Sequence, residues 1–134
     1  MTSNISNSAM PSNRYFSAAI AFLLWGGWAF FVNRETSNYD GLIAALSQGC
    51  ASFIITLLMV HSIQLLRKLF NKSLTKLFLP AIITVCFTGS CLFVVHKLAS
   101  TANIFTTILP ALSVAFVFCV FTSYQLSHLN KQEQ

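Results

Sequence analysis

Acidic residues are nearly missing from this chain: Glu35, Asp40 and Glu133 are the only three, and charged residues of both signs make up 8% of the 134 positions. A water-soluble domain usually carries about 25% charged residues, so this little charge cannot coat an aqueous surface. No Asp, Glu, Lys or Arg interrupts the four long apolar runs described below. That gap argues against a proton-coupled carrier, which usually keeps an ionisable group inside the membrane. Paired cysteines are missing as well. Cys50, Cys86, Cys91 and Cys119 all fall within apolar runs and form no C-x-x-C pair, which argues against a disulfide framework and favours small buried hydrophobes. No nucleophile–base pair, carboxylate pair, phosphate loop or metal-ligand spacing occurs. The expectation is therefore a non-enzymatic protein with no metal and no cofactor. The net charge of +5 is not carried on a basic stripe with interleaved aromatics, so no nucleic-acid partner is expected.

Apolar residues fill the space that charge leaves, at 55% of the chain. Four runs stand out, at 15–32, 41–63, 77–95 and 102–124. Each is long enough to cross a hydrocarbon core of about 30 Å at 1.5 Å per residue. Spans in lipid must satisfy their own backbone hydrogen bonds, and continuous apolar runs suit helices rather than the alternating strands of a barrel. The first run is longer than a signal-peptide core and lacks a small-residue cleavage site, so it reads as a retained helix. The predicted fold is an all-α polytopic membrane protein, an antiparallel bundle of four transmembrane helices over 14–126. Residues 1–13, rich in Ser and Asn, read as a disordered tail, and 127–134 as a polar tail.

Positive charge orients this plan. Arg14, Arg67, Lys68, Lys72, Lys76 and Lys131 lie on one side, whereas Arg34 and Lys97 lie on the other. The positive-inside rule then puts both termini and the second loop in the cytoplasm.

Within the spans, Gln48, Ser52 and Thr56 on the second helix, Thr84 and Thr88 on the third, and Thr106 and Pro110 on the fourth suggest a polar inner face. A mid-helix amide such as Gln48 needs a partner in lipid. Pro110 lacks an N–H and should free the carbonyl of Thr106, kinking the helix. Pro80 reads as lying near the start of its helix, where proline is tolerated. Gly41, Ala45 and Gly49 recur at helical spacing as a close-packing seam. Residues 64–76 look amphipathic, with Leu65, Leu66, Leu69, Phe70 and Leu74 opposite Arg67, Lys68, Asn71 and Lys72, and with Lys76 at the edge. A helix of this kind can lie in the headgroup plane; the first reading is a positive-inside anchor that only fixes topology, and the second makes Arg67, Lys68, Lys72 and Lys76 candidate contacts to anionic lipid. Asn33, Arg34, Glu35 and Asp40 form the one mixed-charge cluster, and His61 and His96 read as polar anchors at opposite interfaces.

The stretch Trp28-Ala-Phe-Phe-Val-Asn33, with Gln48-Gly49, Ser52-Phe53 and Thr56-Leu57, is similar to small bacterial inner-membrane proteins without an assigned activity. That resemblance implies a bacterial inner membrane. In length, helix count and charge the plan also resembles small flippase-like proteins of the GtrA type, which implies lipid-linked substrates. The expected role is an accessory or transport-type component handling lipid or lipid-linked molecules. The alternatives are a structural subunit of a larger membrane complex, or a small multidrug-type exporter without the usual membrane acid. Expected partners are membrane lipids, with either a second copy of the chain or another membrane protein.

Overall fold

The computed structural model describes residues 10–70 and 72–132. They form four helices, α1 (Met10–Asn33), α2 (Asn38–Arg67), α3 (Ser73–Leu98) and α4 (Ile104–Gln132), and no strand occurs among the described residues. All four are long and apolar enough to cross a membrane. Their outer faces carry large exposed apolar side chains, among them Leu23 at 70%, Phe87 at 72% and Val117 at 67% exposed. Soluble monomers rarely expose contiguous apolar patches of that extent. The chain is built as a small multi-pass membrane protein.

The helices outrun the predicted spans at several ends. Met10–Asn13, read as part of a disordered tail, belong to α1, whereas residues 1–9 lie outside the described residues. The polar tail continues α4 as far as Gln132, with 133–134 outside the described residues. No Gly or Pro follows Pro110 to stop that helix, and Gln, Leu and Lys propagate helix well. Residues 64–76 are not one surface helix. Gln64–Arg67 complete α2, Ser73–Lys76 open α3, and a turn separates them. Pro80 consequently lies seven residues beyond the first residue of α3, inside the helix rather than in its first turn.

Local chemistry sets two of the boundaries. Ser37 caps α2: its hydroxyl accepts from the Asp40 N–H at 3.0 Å and donates to the Asp40 carboxylate at 2.7 Å. This satisfies an otherwise free helix donor and puts negative charge at the positive end of the helix dipole. At the far end of α3, Ser100 adopts φ 55. Its N–H donates to Lys97 O and that of Thr101 to His96 O, the Schellman closure that usually employs glycine at the left-handed position.

Neighbouring helices run antiparallel. Gln48 of α2 meets His96 of α3, while Arg67 at the other end of α2 meets Lys76 near the start of α3. The first pairing lies ten residues into α2 but two residues from the end of α3. At 1.5 Å per residue, α2 therefore overhangs α3 there by about 12 Å. The apolar core lies towards the opposite end, where Met59, Ile63, Ala81 and Cys119 from α2, α3 and α4 pack with Ile55, Val85, Phe116 and Leu126 around them.

α1 packs on α2 through small residues. A methyl group added at Gly26 would lie 3.0 Å from Ala45 O and 3.5 Å from Gly49 Cα, and one at Gly49 would lie 3.0 Å from the Phe22 ring. Gly41 faces Arg34, its added methyl falling 3.1 Å from Arg34 Cα. The seam Gly41, Ala45, Gly49 therefore lies inside the monomer, against α1.

Candidate functional site: polar clasps and a lateral groove

The hydrogen-bonded clusters that join helices lie towards the two ends of the bundle, whereas the buried hydroxyls Ser52, Thr84 and Thr88 lie midway. At the end holding the α1–α2 and α3–α4 connections, Gln48, His96 and Asn33 are fully buried. Gln48 Oε1 faces His96 Nε2 at 2.6 Å, and His96 Nδ1 faces Thr101 Oγ1 at 2.9 Å. An amide oxygen only accepts, so Nε2 carries the proton, and a neutral ring leaves Nδ1 to accept from the Thr101 hydroxyl. The Gln48 amide nitrogen has no protein partner. His96 is thus not the interfacial anchor expected from sequence. The overhang of α2 buries it.

A second cluster stands beside the first. Asn33 Nδ2 donates to Thr107 Oγ1 at 2.8 Å and to Ala29 O at 2.9 Å, while Asn33 Oδ1 accepts from the Asn103 N–H at 3.0 Å. Thr101 and Asn103 both belong to the α3–α4 connection, so that turn is pinned to α2 through one cluster and to α1 through the other. The mixed-charge cluster of the sequence does not assemble as a unit. Asn33 turns inward, Asp40 is held by Ser37, and Arg34 lies 4.8 Å over the Phe31 ring.

At the opposite end Arg67 is the centre. It is 9% exposed and donates to Ser123 O, to Ser127 Oγ at 3.0 Å and to Lys76 O at 3.4 Å. Lys76 O is the carbonyl that Pro80 cannot serve, because proline has no N–H to donate four residues back. Arg67 therefore ties α2 to α3 and α4, and it turns away from the lipid headgroups it was expected to contact. Lys68 and Lys72 are exposed and Lys76 is half-buried.

The residues predicted as one polar inner face are divided among several surroundings. Gln48 is engaged with His96. Ser52, Thr56 and Thr88 line a cavity of about 40 Å³ beside Trp25 and Leu112, a volume on the scale of water molecules. Thr106 is exposed, and its carbonyl accepts from Trp28 Nε1 at 3.1 Å. That is the carbonyl freed by Pro110.

Thr84 and Thr88 also line a groove of about 340 Å³ between α2 and α3. Its other walls are Ile55, Leu58, Met59, Ser62, Leu65, Leu66, Ile83 and Phe87. The groove is open, overwhelmingly apolar, and within the size range of small-ligand sites, roughly 300–1,000 Å³. Thr84 Oγ1 is buried against it without a hydrogen-bond partner. Sequence reasoning missed the groove, although the stripe Leu58, Ser62, Leu65, Leu66 is a visible sign of it. Among the described residues no three His, Cys, Asp or Glu side chains gather to hold a metal. The chain matches no protein-family model, no curated protein and no solved structure.

Proposed function

We propose that this protein is a non-enzymatic lipid-binding component of a bacterial inner membrane, with both termini cytoplasmic and the α2–α3 groove as its lipid site. The groove carries this reading. It lies along two membrane-spanning helices, opens sideways, and is walled by Leu, Ile, Met and Phe with three hydroxyl-bearing side chains among them. Surrounded by lipid, such a slot is filled by an acyl chain, because apolar walls left without contacting atoms lose their dispersion contacts. Polar path residues spread over separate surroundings support lateral binding better than passage through the bundle. The alternative of a structural subunit loses its candidate contact, since Gly41, Ala45 and Gly49 are occupied by α1.

Photolabelling tests this. The protein is reconstituted into phosphatidylethanolamine vesicles containing the same lipid with a diazirine in its acyl chain. Labelled peptides should map to Ile55–Leu66 and Ile83–Thr88. Leu58→Trp combined with Ile83→Trp should fill the slot and remove that labelling. Labelling spread evenly over the outer faces of α1 to α4, and unchanged by the two tryptophans, would sink the reading.

A further inference from the structure

We infer that the groove selects an anionic phospholipid, its phosphate held at the α2–α3 turn by Lys68, Lys72 and Lys76. This rests on the groove reading and adds the headgroup class to it. Register is the first argument. On α3, Lys76, Pro80, Ile83 and Phe87 follow one another at i, i+4, i+7 and i+11 and so share a stripe; its lower half is groove wall. Lys76 stands about 10 Å along the axis from Ile83, at 1.5 Å per residue. On α2, the wall residues Leu65 and Leu66 are followed within one turn by Lys68. The apolar slot therefore ends at the basic turn, in the order that a glycerophospholipid presents its own chain and phosphate.

Charge balance is the second argument. No acidic residue occurs between Asp40 and Glu133, so no carboxylate on α3, on the turn, or on α2 beyond its far first turn neutralises these lysines. Arg67, the fourth cation of the segment, is already engaged with Ser123 O, Ser127 Oγ and Lys76 O. That engagement fixes both ends of the turn and leaves the exposed Lys68 and Lys72 as the free cations. A phosphate near such residues gains attraction that falls away with salt.

The test compares phosphatidylglycerol with phosphatidylethanolamine, each bearing the acyl-chain diazirine, in vesicles of equal amounts of the two unlabelled lipids. The native protein should label preferentially with the anionic probe at the α2–α3 peptides. Lys68→Gln should lower that preference about fivefold, and Lys68→Gln with Lys72→Gln roughly 25-fold, on the basis of the attraction of a single lysine near an anionic surface. Lys68→Arg with Lys72→Arg should retain it. Both lysines are exposed, so these variants leave the packed interior untouched, and helical circular dichroism checks this. Equal labelling by both probes, confined to the groove and unchanged by the glutamines, would overturn the headgroup inference while leaving the groove reading intact. A preference that the two groove tryptophans leave unchanged would overturn both, because the lysines would then be recruiting lipid with no seat for its chain.

Discussion

Proline removes one donor from a helix, and at both interior prolines described here a side chain supplies the missing bond. The carbonyl abandoned by Pro80 receives Arg67, and the one abandoned by Pro110 receives the Trp28 indole. In lipid an unpaired carbonyl has no water to turn to, so the replacement donor matters more than its geometry suggests. Measured side-chain hydrogen bonds between membrane helices are worth about 0.6 kcal/mol on average and up to about 1.7. Trp28→Phe should therefore cost about 1 kcal/mol in unfolding from mixed micelles, through loss of the N–H. In a Pro110→Ala background residue 110 regains its N–H, and the same Trp28→Phe change should cost almost nothing through this bond. A double-mutant cycle measures the difference. Equal costs in the two backgrounds would mean that the indole bond is incidental. Only half of this pair was legible beforehand: the freed carbonyl follows from Pro110 alone, whereas its donor sits 78 positions away on α1, and nothing in the pattern of α1 announces it.

At the scale of elements, the close approach of α1 and α2 depends on one of two adjacent glycines that look alike in the sequence and differ in space. A methyl at Gly26 would press on the Ala45 carbonyl at 3.0 Å, a backbone atom that cannot swing aside, whereas nothing lies within 4 Å of one at Gly27. Gly26→Ala should separate the helices and destabilise the protein by about 1–3 kcal/mol, the usual cost of overpacking. Gly27→Ala should be neutral or stabilising by up to about 1 kcal/mol, because alanine favours helix more than glycine. Thermal unfolding in detergent distinguishes them, and a Gly26→Ala protein as stable as the native one would deny the tight contact. The existence, number and type of the helices were legible because length and apolar runs decide them. Helix ends were less so, since the extensions at Met10–Asn13 and 127–132 are polar enough to read as tail. Partners were legible only where chemistry demands one. Gln48 had to find a partner, but that it is His96 depends on the offset between α2 and α3. Arg67 shares its charge pattern with Lys68, and only the length of α4, which brings Ser123 and Ser127 alongside, turns it inward.

For the whole molecule, polar clasps join the helices at both ends of the bundle, and the polar side chains buried between them are the small hydroxyls Ser52, Thr84 and Thr88, an arrangement suited to a slab of hydrocarbon flanked by headgroups. The helices, at 24 to 30 residues, are about 36–45 Å long and exceed a hydrocarbon thickness of about 30 Å. Their ends therefore reach the headgroup layers, where charge governs orientation. By position along the chain, Arg14, Arg67, Lys68, Lys72, Lys76 and Lys131 fall on one side and Arg34 and Lys97 on the other, and the positive-inside rule predicts the six-residue side in the cytoplasm. Single-cysteine variants in a background lacking Cys50, Cys86, Cys91 and Cys119 test this. Tyr39 is 71% exposed and Leu98 82% exposed at the connection end. Tyr39→Cys and Leu98→Cys should react with an impermeant maleimide in intact bacterial cells, and Lys72→Cys only after permeabilisation. The same charges predict a failure mode. Replacing Lys68 and Lys76 by Gln along with Lys72→Cys removes half of the basic end, leaving Arg14, Arg67 and Lys131 against Arg34 and Lys97. The arginine buried among carbonyls is then the main charge at the turn, and a mixed population should appear in which part of the Lys72→Cys protein reacts without permeabilisation. Reaction of Lys72→Cys in intact cells with every other charge in place would reverse the proposed orientation.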